Sequence, residues 1–249
     1  MRFFTVADGL ASNFVNVILR DSHGFLWFGT SDGLSRFDGS QFTNFGVDQG
    51  LPDRAVTDMV TTRSGDLWIA TPKAVCRLNA SGTGPQLETY TVDPNARMVN
   101  SLADDRADGV WLGTENGLYQ IAKSGPNQWK MRAVDIGAPR QRGLDRIIEA
   151  LAVDPSGTLW IGTGTGLYRR FPDGPTNRYA TADGLPHAHV TVLLSGRHER
   201  LWVGTWEGLC RLALDPHSKT PLVEAVYPTK EGLDSVPVAS LLESEDGRV

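Results

Sequence analysis

Residues 21–39 read DSHGFLWFGTSDGLSRFDG. A short apolar run, Leu26 to Thr30, stands between two stretches of turn formers, Asp21-Ser22-His23-Gly24 and Ser31-Asp32-Gly33; a second run, Leu34 to Phe37, leads into the turn pair Asp38-Gly39. Short runs fenced by Gly, Asp and Ser read as strands joined by tight turns, and Gly33 supplies the positive φ that the middle hairpin needs. Working outward, Phe14 to Arg20 is an apolar, β-branched run that makes the inner strand, and Gln41 to Phe45 makes the outer one. The unit is a four-stranded antiparallel sheet, and the fold it predicts is all-β.

The segment recurs. LWFGTSDGL at 26–34 is followed by LWIATPKAV at 67–75, VWLGTENGL at 110–118, LWIGTGTGL at 159–167 and LWVGTWEGL at 201–209. The tryptophans Trp27, Trp68, Trp111, Trp160 and Trp202 lie 41, 43, 49 and 42 residues apart, a period of the size that four-stranded propeller blades produce. A β-branched residue stands twelve positions before each of them (Val15, Val56, Val99, Ile148, Val190) and a small residue six after (Gly33, Ala74, Gly117, Gly166, Gly208). Length variation is therefore confined to the second half of each repeat. Inner strands such as Val17-Ile18-Leu19 and Val192-Leu193-Leu194 are apolar at consecutive positions. That predicts burial on both faces, as for a blade between two neighbours with the tryptophans filling the gaps.

The sequence thus divides into five complete blades, at 10–47, 51–92, 94–136, 143–181 and 185–229, within a single β-propeller domain over 1–249. A sixth copy opens at Val238, continues through Ser240-Leu241-Leu242 and turns at Glu245-Asp246-Gly247-Arg248, a partial blade over 233–249 whose tryptophan would fall at position 250. At the other end, residues 1–6 read as an outer strand with no blade of its own, the kind that closes a ring. The pattern predicts a piece of a larger ring.

The full signature is Gly-Leu, a β-branched residue, then Asp-x-x-Gly-x-Leu-Trp-[Ile/Phe/Val]-Gly-Thr-x-x-Gly-Leu. With it in view, the chain closely resembles the two-component regulator propeller repeats over essentially its whole length. DSHGFLWFGTSDGLSRFDG and DPSGTLWIGTGTGLYRRF are its best copies; the second and fifth repeats depart before the tryptophan, where Thr62-Arg63-Ser64-Gly65 and Gly196-Arg197-His198-Glu199 stand. The resemblance implies a periplasmic or extracellular sensor, usually of seven blades or two such rings. It also implies a following immunoglobulin-like domain, a membrane span and a cytoplasmic output, a histidine kinase, a hybrid with a response regulator or a diguanylate cyclase. The motif residues of that family are structural, so no catalytic residue comes with them.

Composition bounds the rest. With 40% hydrophobic and 21% charged residues the chain can bury a large core,. The net charge of −5 is spread over turn Asp and Glu without a basic block, so nucleic acid is not an expected partner,. No apolar window of about 18 residues occurs, and the sequence predicts no membrane span in this stretch. Residues 1–6 lack the apolar run of about 7–15 residues of an export signal, so either the protein is cytoplasmic or the true start lies upstream.

Motifs that suggest chemistry have plainer readings beside them. Gly162-Thr163-Gly164-Thr165-Gly166 looks like a phosphate loop, but no helix pattern follows and its positions match the turn of every other repeat,. His187 and His189 form an H-x-H pair with no acidic or Cys ligand nearby in sequence to complete a metal set,. Cys76 and Cys210 occupy the same position, eight after Trp68 and Trp202, three blades apart, and read as small core residues,. No nucleophile elbow or Ser/His/Asp set appears, and no cofactor is expected.

In a propeller the loop leading into each blade and the turn between its second and third strands open on one face, and function lives on such loops. The leading loops give Asn13, Arg54, Arg97, Arg146, His187 and His189; the turns give Asp32, Lys73, Glu115, Asn116, Trp206 and Glu207. Trp206 lies outside the structural register, where other copies carry Ser31, Pro72, Glu115 or Gly164. It is either an aromatic plate for a sugar ring or a side chain packed on a neighbouring loop. The first reading of function is a non-catalytic binding module for a small molecule or oligosaccharide, acting on downstream signalling domains of the same chain, with homodimerisation open. The second is a propeller enzyme such as a lyase or glycosidase, and the third a protein-interaction scaffold.

Overall fold

The computed structural model describes residues 3–78, 87–125, 128–137, 143–214, 222–228, 237–244 and 246–249. No α-helix occurs among them. Twenty strands pair in chain order into five four-stranded antiparallel sheets, the blades of a β-propeller. Blade 1 is β1 Val15–Arg20, β2 Leu26–Thr30, β3 Gly33–Phe37 and β4 Phe42–Phe45; blade 2 is β5 Asp58–Thr61, β6 Leu67–Ala70, β7 Ala74–Leu78 and β8 Leu87–Thr91. Blade 3 is β9 Val99–Asp104, β10 Val110–Thr114, β11 Gly117–Gly125 and β12 Gln128–Val134. Blade 4 is β13 Ile148–Val153, β14 Leu159–Thr163, β15 Gly166–Arg170 and β16 Thr176–Tyr179, and blade 5 is β17 Val190–Gly196, β18 Arg200–Thr205, β19 Gly208–Ala213 and β20 Leu222–Pro228. By internal contacts the chain forms two compact units, Met1–Thr114 with Tyr119–Arg132, and Glu115–Leu118 with Ala133–Val249.

In the first unit Trp27 packs with Leu34 and Phe45 of its own blade against Met59, Ile69 and Cys76 of blade 2, and Trp68 repeats the arrangement against Leu102, Leu112 and Tyr119 of blade 3. In the second, Trp160, Leu167 and Tyr179 meet Leu193, Val203 and Cys210 of blade 5. The repeated indole is thus the side chain that fills the space between consecutive blades. Trp111 is the exception: it is only half-buried, so it is not the core residue its register suggests. Cys76 and Cys210 are free and fully buried in these interfaces, and burial pushes their thiols up to about 11 and about 12.

The recurring Asp six residues before the tryptophan has two tasks. Asp154 Oδ1 accepts the backbone N–H groups of Ser156 and Thr158, closing the turn, while Oδ2 accepts Trp160 Nε1 at 2.9 Å. Asp21 does the same for His23, Phe25 and Trp27, the last at 2.7 Å. Where the repeat departs, the anchor goes: Thr62 replaces the Asp in blade 2, and the buried Trp68 Nε1 has no acceptor among the described residues. Blade 5 replaces the whole turn, with His198 and Glu199 both at positive φ (56° and 54°). After each tryptophan, the Gly-Thr pair is equally determined. The Thr30, Thr71, Thr163 and Thr205 hydroxyls each donate to the carbonyl three residues on, at 2.7–2.9 Å. A Cβ on Gly29 would fall 2.6 Å from both Val17 and Val56.

Three expectations change. Residues 1–6 do not form an outer strand over their described part: Val6–Asp8 is a 3-10 turn capped by Thr5 and Gly9, equivalent to the turns Val47–Gln49 and Thr181–Asp183 that lead into blades 2 and 5. Inner strands are not uniformly buried: β9 and β13 are, but β1 leaves Ile18 60% exposed, because within its own unit only blade 2 packs against it. Over 233–249, residues 233–236 and 245 lie outside the described residues and the others form no strand, so a sixth blade is not seen. Val238 N nonetheless donates to Thr205 O at 3.2 Å, as Val56 N does to Thr30 O at 2.9 Å.

Three outcomes are expected. Trp160→Ala, which empties an enclosed site, should cost about 3–5 kcal/mol in urea unfolding. Asp154→Ala strands the indole N–H and should cost about 2–3 kcal/mol, against under about 1 kcal/mol for Thr62→Ala, whose indole has no acceptor to lose. The third concerns Asp58, which accepts the Leu102 and Met59 N–H groups at 2.6 and 2.7 Å and whose carboxyl burial pushes up to about 6. The folded-state pKa is raised, so its stabilisation is complete below the unfolded value and is lost as pH rises through about 6. Asp58→Asn cannot ionise, so its stability relative to wild type should rise by on the order of 2–3 kcal/mol between about pH 4 and pH 7, read from paired melting curves.

Candidate functional site

The loop that leads into a blade and the turn between that blade's second and third strands meet repeatedly. In blade 1, Ser31 N donates to Phe14 O at 3.0 Å and the Ser12 and Ser31 hydroxyls share a hydrogen bond of 2.9 Å. In blade 2, Lys73 pairs with Asp53 at 3.4 Å, and Arg54 reaches back to Asp32 at 3.6 Å. In blade 4, Gly164 N donates to Leu144 O at 3.2 Å and the Thr165 hydroxyl to Asp145. In blade 5, Trp206 N donates to His189 O at 3.2 Å. The Gly162–Gly166 stretch is one of these turns, between β14 and β15, with the Thr163 hydroxyl donating to Gly166 O.

Blade 5 builds the most distinctive cluster. The Trp206 ring is half exposed, at 50%. His189 stacks on it with centroids 4.3 Å apart and planes 16° apart, and His187 lies nearly parallel at 6.0 Å. His187 Nδ1 accepts the His189 backbone N–H at 3.0 Å, which holds the two imidazoles in one loop. His189 is buried, and its Nε2 contacts the Glu149 carboxylate. Trp206 thus packs on the histidine loop and still presents exposed ring surface.

Glu149 is the residue that sequence reasoning missed; the histidine pair does have an acidic neighbour. The inner strands of blades 1, 3, 4 and 5 carry a register shift at their start, between Val15/Val17, at Val99/Ser101 opposite Gly113/Thr114, at Ile148/Ala150 and at Val190/Val192. Such a bulge leaves one residue unpaired and re-aims its side chain. Asn16 and Thr191 at this position bond the carbonyls of Val56 and Val238 at 2.8 and 2.6 Å. In blade 4 the bulged residue is Glu149, aimed at His189. Being eleven residues before Trp160, where the other repeats carry Asn16, Thr57, Asn100 and Thr191, it was visible as the one acid in its column.

The remaining predicted positions are dispersed or already engaged. Asn13 accepts the Val6 N–H at 2.9 Å, Arg97 is exposed with φ 62°, and Glu207 is exposed with its N–H on the Thr205 hydroxyl. Arg146 and Asn116 are half-buried. His187, His189 and Trp206 converge with Glu149 on one partly exposed ring. Among the described residues no group of three or more His, Cys, Asp or Glu could hold a metal ion. A flat, partly apolar plate beside imidazole and carboxylate suits a ligand with one apolar face and several hydroxyls.

The structure is similar to the extracellular domain assigned to a hybrid two component system of B. thetaiotaomicron, at 21% identity and a TM-score of 0.74 over 96% of this chain and 31% of that one. A second such domain from the same organism matches at 20% identity and a TM-score of 0.65, over 86% of this chain and 28% of that one. The chain therefore spans about a third of the length of these sensor domains. A catalytically inactive virginiamycin B lyase from Staphylococcus aureus matches at 16% identity and a TM-score of 0.70, over 90% of this chain and 72% of that one. At such identities these likenesses concern the fold. No curated protein matches the chain by sequence. The family model described as two component regulator propeller matches residues 9–32 and 143–165. These two stretches therefore carry the two-component regulator propeller repeat.

Proposed function

We propose that this propeller is the ligand-sensing region of a bacterial signalling receptor, non-catalytic in itself and located outside the cytoplasm. In this reading it binds a small molecule or oligosaccharide on the loop face of blade 5 and passes the bound state to downstream signalling domains of the same chain. The observation that carries it is the Trp206 plate, a half-exposed indole in a turn that is otherwise dictated by the repeat, backed by His189 and Glu149. The likeness to extracellular sensor domains supports the setting. The sixth repeat opening at Val238 belongs to the same reading, as part of a seven-bladed ring. Residues that recur are used up in holding blades together, so recognition falls to those that do not.

One observation favours a second reading. A buried imidazole held by a carboxylate is how a general base is oriented, and His189 with Glu149 has that form. In it the chain is a propeller enzyme of the lyase or glycosidase kind.

Calorimetric titration of the whole chain with a panel of oligosaccharides separates the two. Binding without turnover is expected, weakened at least about tenfold by Trp206→Ala with an unchanged melting temperature. If no oligosaccharide binds, or the variant binds as wild type does, the plate is not the site. Cleavage of a panel member that disappears in His189→Ala would replace sensing by catalysis.

A further inference from the structure

The leading loop of blade 4 breaks the repeat. Its leucine precedes the β-branched residue by four positions, Leu144 to Ile148, where Leu10 to Val15, Leu51 to Val56 and Leu185 to Val190 are five apart. The consequence is visible in burial: Leu10, Leu51 and Leu185 are 6%, 2% and 5% exposed, but Leu144 is 52% exposed. Leu51 and Leu185 pack in the same clusters as Cys76 and Cys210, the residues eight after the tryptophan. In blade 4 that position is Tyr168, and Leu144 lies instead on the turn, where a Cβ added to Gly164 would fall 2.7 Å from its own.

A cleft of about 650 Å³ opens beside Tyr168, lined within the second unit by Asp135, Asp145, Thr176 and Arg178 among others. Tyr168 and Arg178 face each other across β15 and β16. Tyr168 is 3% exposed, yet among the described residues its hydroxyl has no partner in hydrogen-bonding geometry, with Arg178 and Thr165 beside it. Asp135 accepts the Gly137 N–H with Oδ1, Asp145 takes the Thr165 hydroxyl with Oδ1, and Arg178 Nη2 donates to Thr165 O at 2.6 Å. Neither carboxylate nor the guanidinium has an ion-pair partner among the described residues. Blade 1 shows the filled form of the place: Ser35 bonds Ala11 N and Asn44, and Asn44 bonds Gly9 O, so loop and hairpin are stitched together.

A buried hydroxyl without a partner is costly unless something else bonds it. Two carboxylates and a guanidinium around one cleft, without ion-pair partners among the described residues, complement a molecule that carries both charges. We propose that this cleft binds a small zwitterionic amine of the α-amino-acid class, its ammonium group on Asp135 and Asp145 and its carboxylate on Arg178 and the Tyr168 hydroxyl. The site is separate from the Trp206 plate and stands or falls without it.

The test is calorimetry and thermal shift on the whole chain with each common α-amino acid at about 10 mM, a level at which millimolar binding raises the melting temperature. At least one should bind, and its N-acetyl and amide derivatives should not. Arg178→Gln and Asp145→Asn should each weaken binding about tenfold or more. Tyr168→Phe, which keeps the ring and removes only the unbonded hydroxyl, should weaken binding several-fold while the free protein melts no lower. Trp206→Ala should bind as wild type does. The proposal is overturned if no amino acid binds, or if binding survives Arg178→Gln and Tyr168→Phe unchanged.

Discussion

The Trp160 indole has no exposed edge, so its N–H must find an acceptor inside the protein, and the carboxylate six residues earlier supplies it. That one bond links three levels of structure. It fixes the turn, because the same carboxylate also accepts the turn's N–H groups. It fixes the indole's direction, which points its ring into the next blade's apolar face. And it makes blade and interface one cooperative object, since the turn cannot relax without unseating the side chain that joins the sheets. A guanidinium often completes the sandwich: Arg36, Arg169 and Arg211, nine residues after their tryptophans, lie over Trp27, Trp160 and Trp202 at 5.8, 5.1 and 5.5 Å, a geometry that favours charge over an aromatic face.

Blade 2 shows what happens when the anchor is absent. Trp68 has no acceptor for its N–H among the described residues, and its ring is held by aromatic contacts with Tyr90 and Trp129, each at 5.3 Å. Arg77 turns from the indole to Asp66, at 2.7 Å, and to the Trp129 face. The interface survives because close packing and a partly buried ion pair replace a hydrogen bond. The repeat is therefore a solution to a packing problem, with more than one set of side chains that satisfies it.

This explains which features were legible in the sequence. Trp27, Gly29 and Thr30 are each confined by a local constraint, an acceptor, a steric limit and a turn bond, and enough of these constraints recur from blade to blade that strand order and the blade interior could be read from spacing. Burial of a whole strand could not: β1 and β13 have similar patterns, and they differ because of what packs beside them. Residues 1–6 failed for a related reason. Phe3-Phe4 has a strand's composition, but Thr5 and Asp8 cap a 3-10 turn there, and Phe4 stacks on Phe37 and Phe42 of its own blade at 5.1 and 5.6 Å.

The candidate site residues obey the opposite logic. His187, His189 and Trp206 were visible because they interrupt a pattern; Glu149 was visible as the one acid in its column, but its aim was not, because the bulge at that strand position could not be inferred from hydrophobicity. Asp145, Tyr168 and Arg178 were hidden too, each unremarkable in composition: Tyr168 and Arg178 pair across β15 and β16, and Asp145 joins them from the shortened leading loop. A repeat architecture makes such changes consequential. Because the neighbouring contacts are fixed by the register, one missing residue is not absorbed along the chain: Leu144 is exposed, and polar groups face a space that blade 1 fills with Ser35 and Asn44. Departures in spacing, as much as departures in residue type, therefore mark where a propeller of this kind can acquire a site.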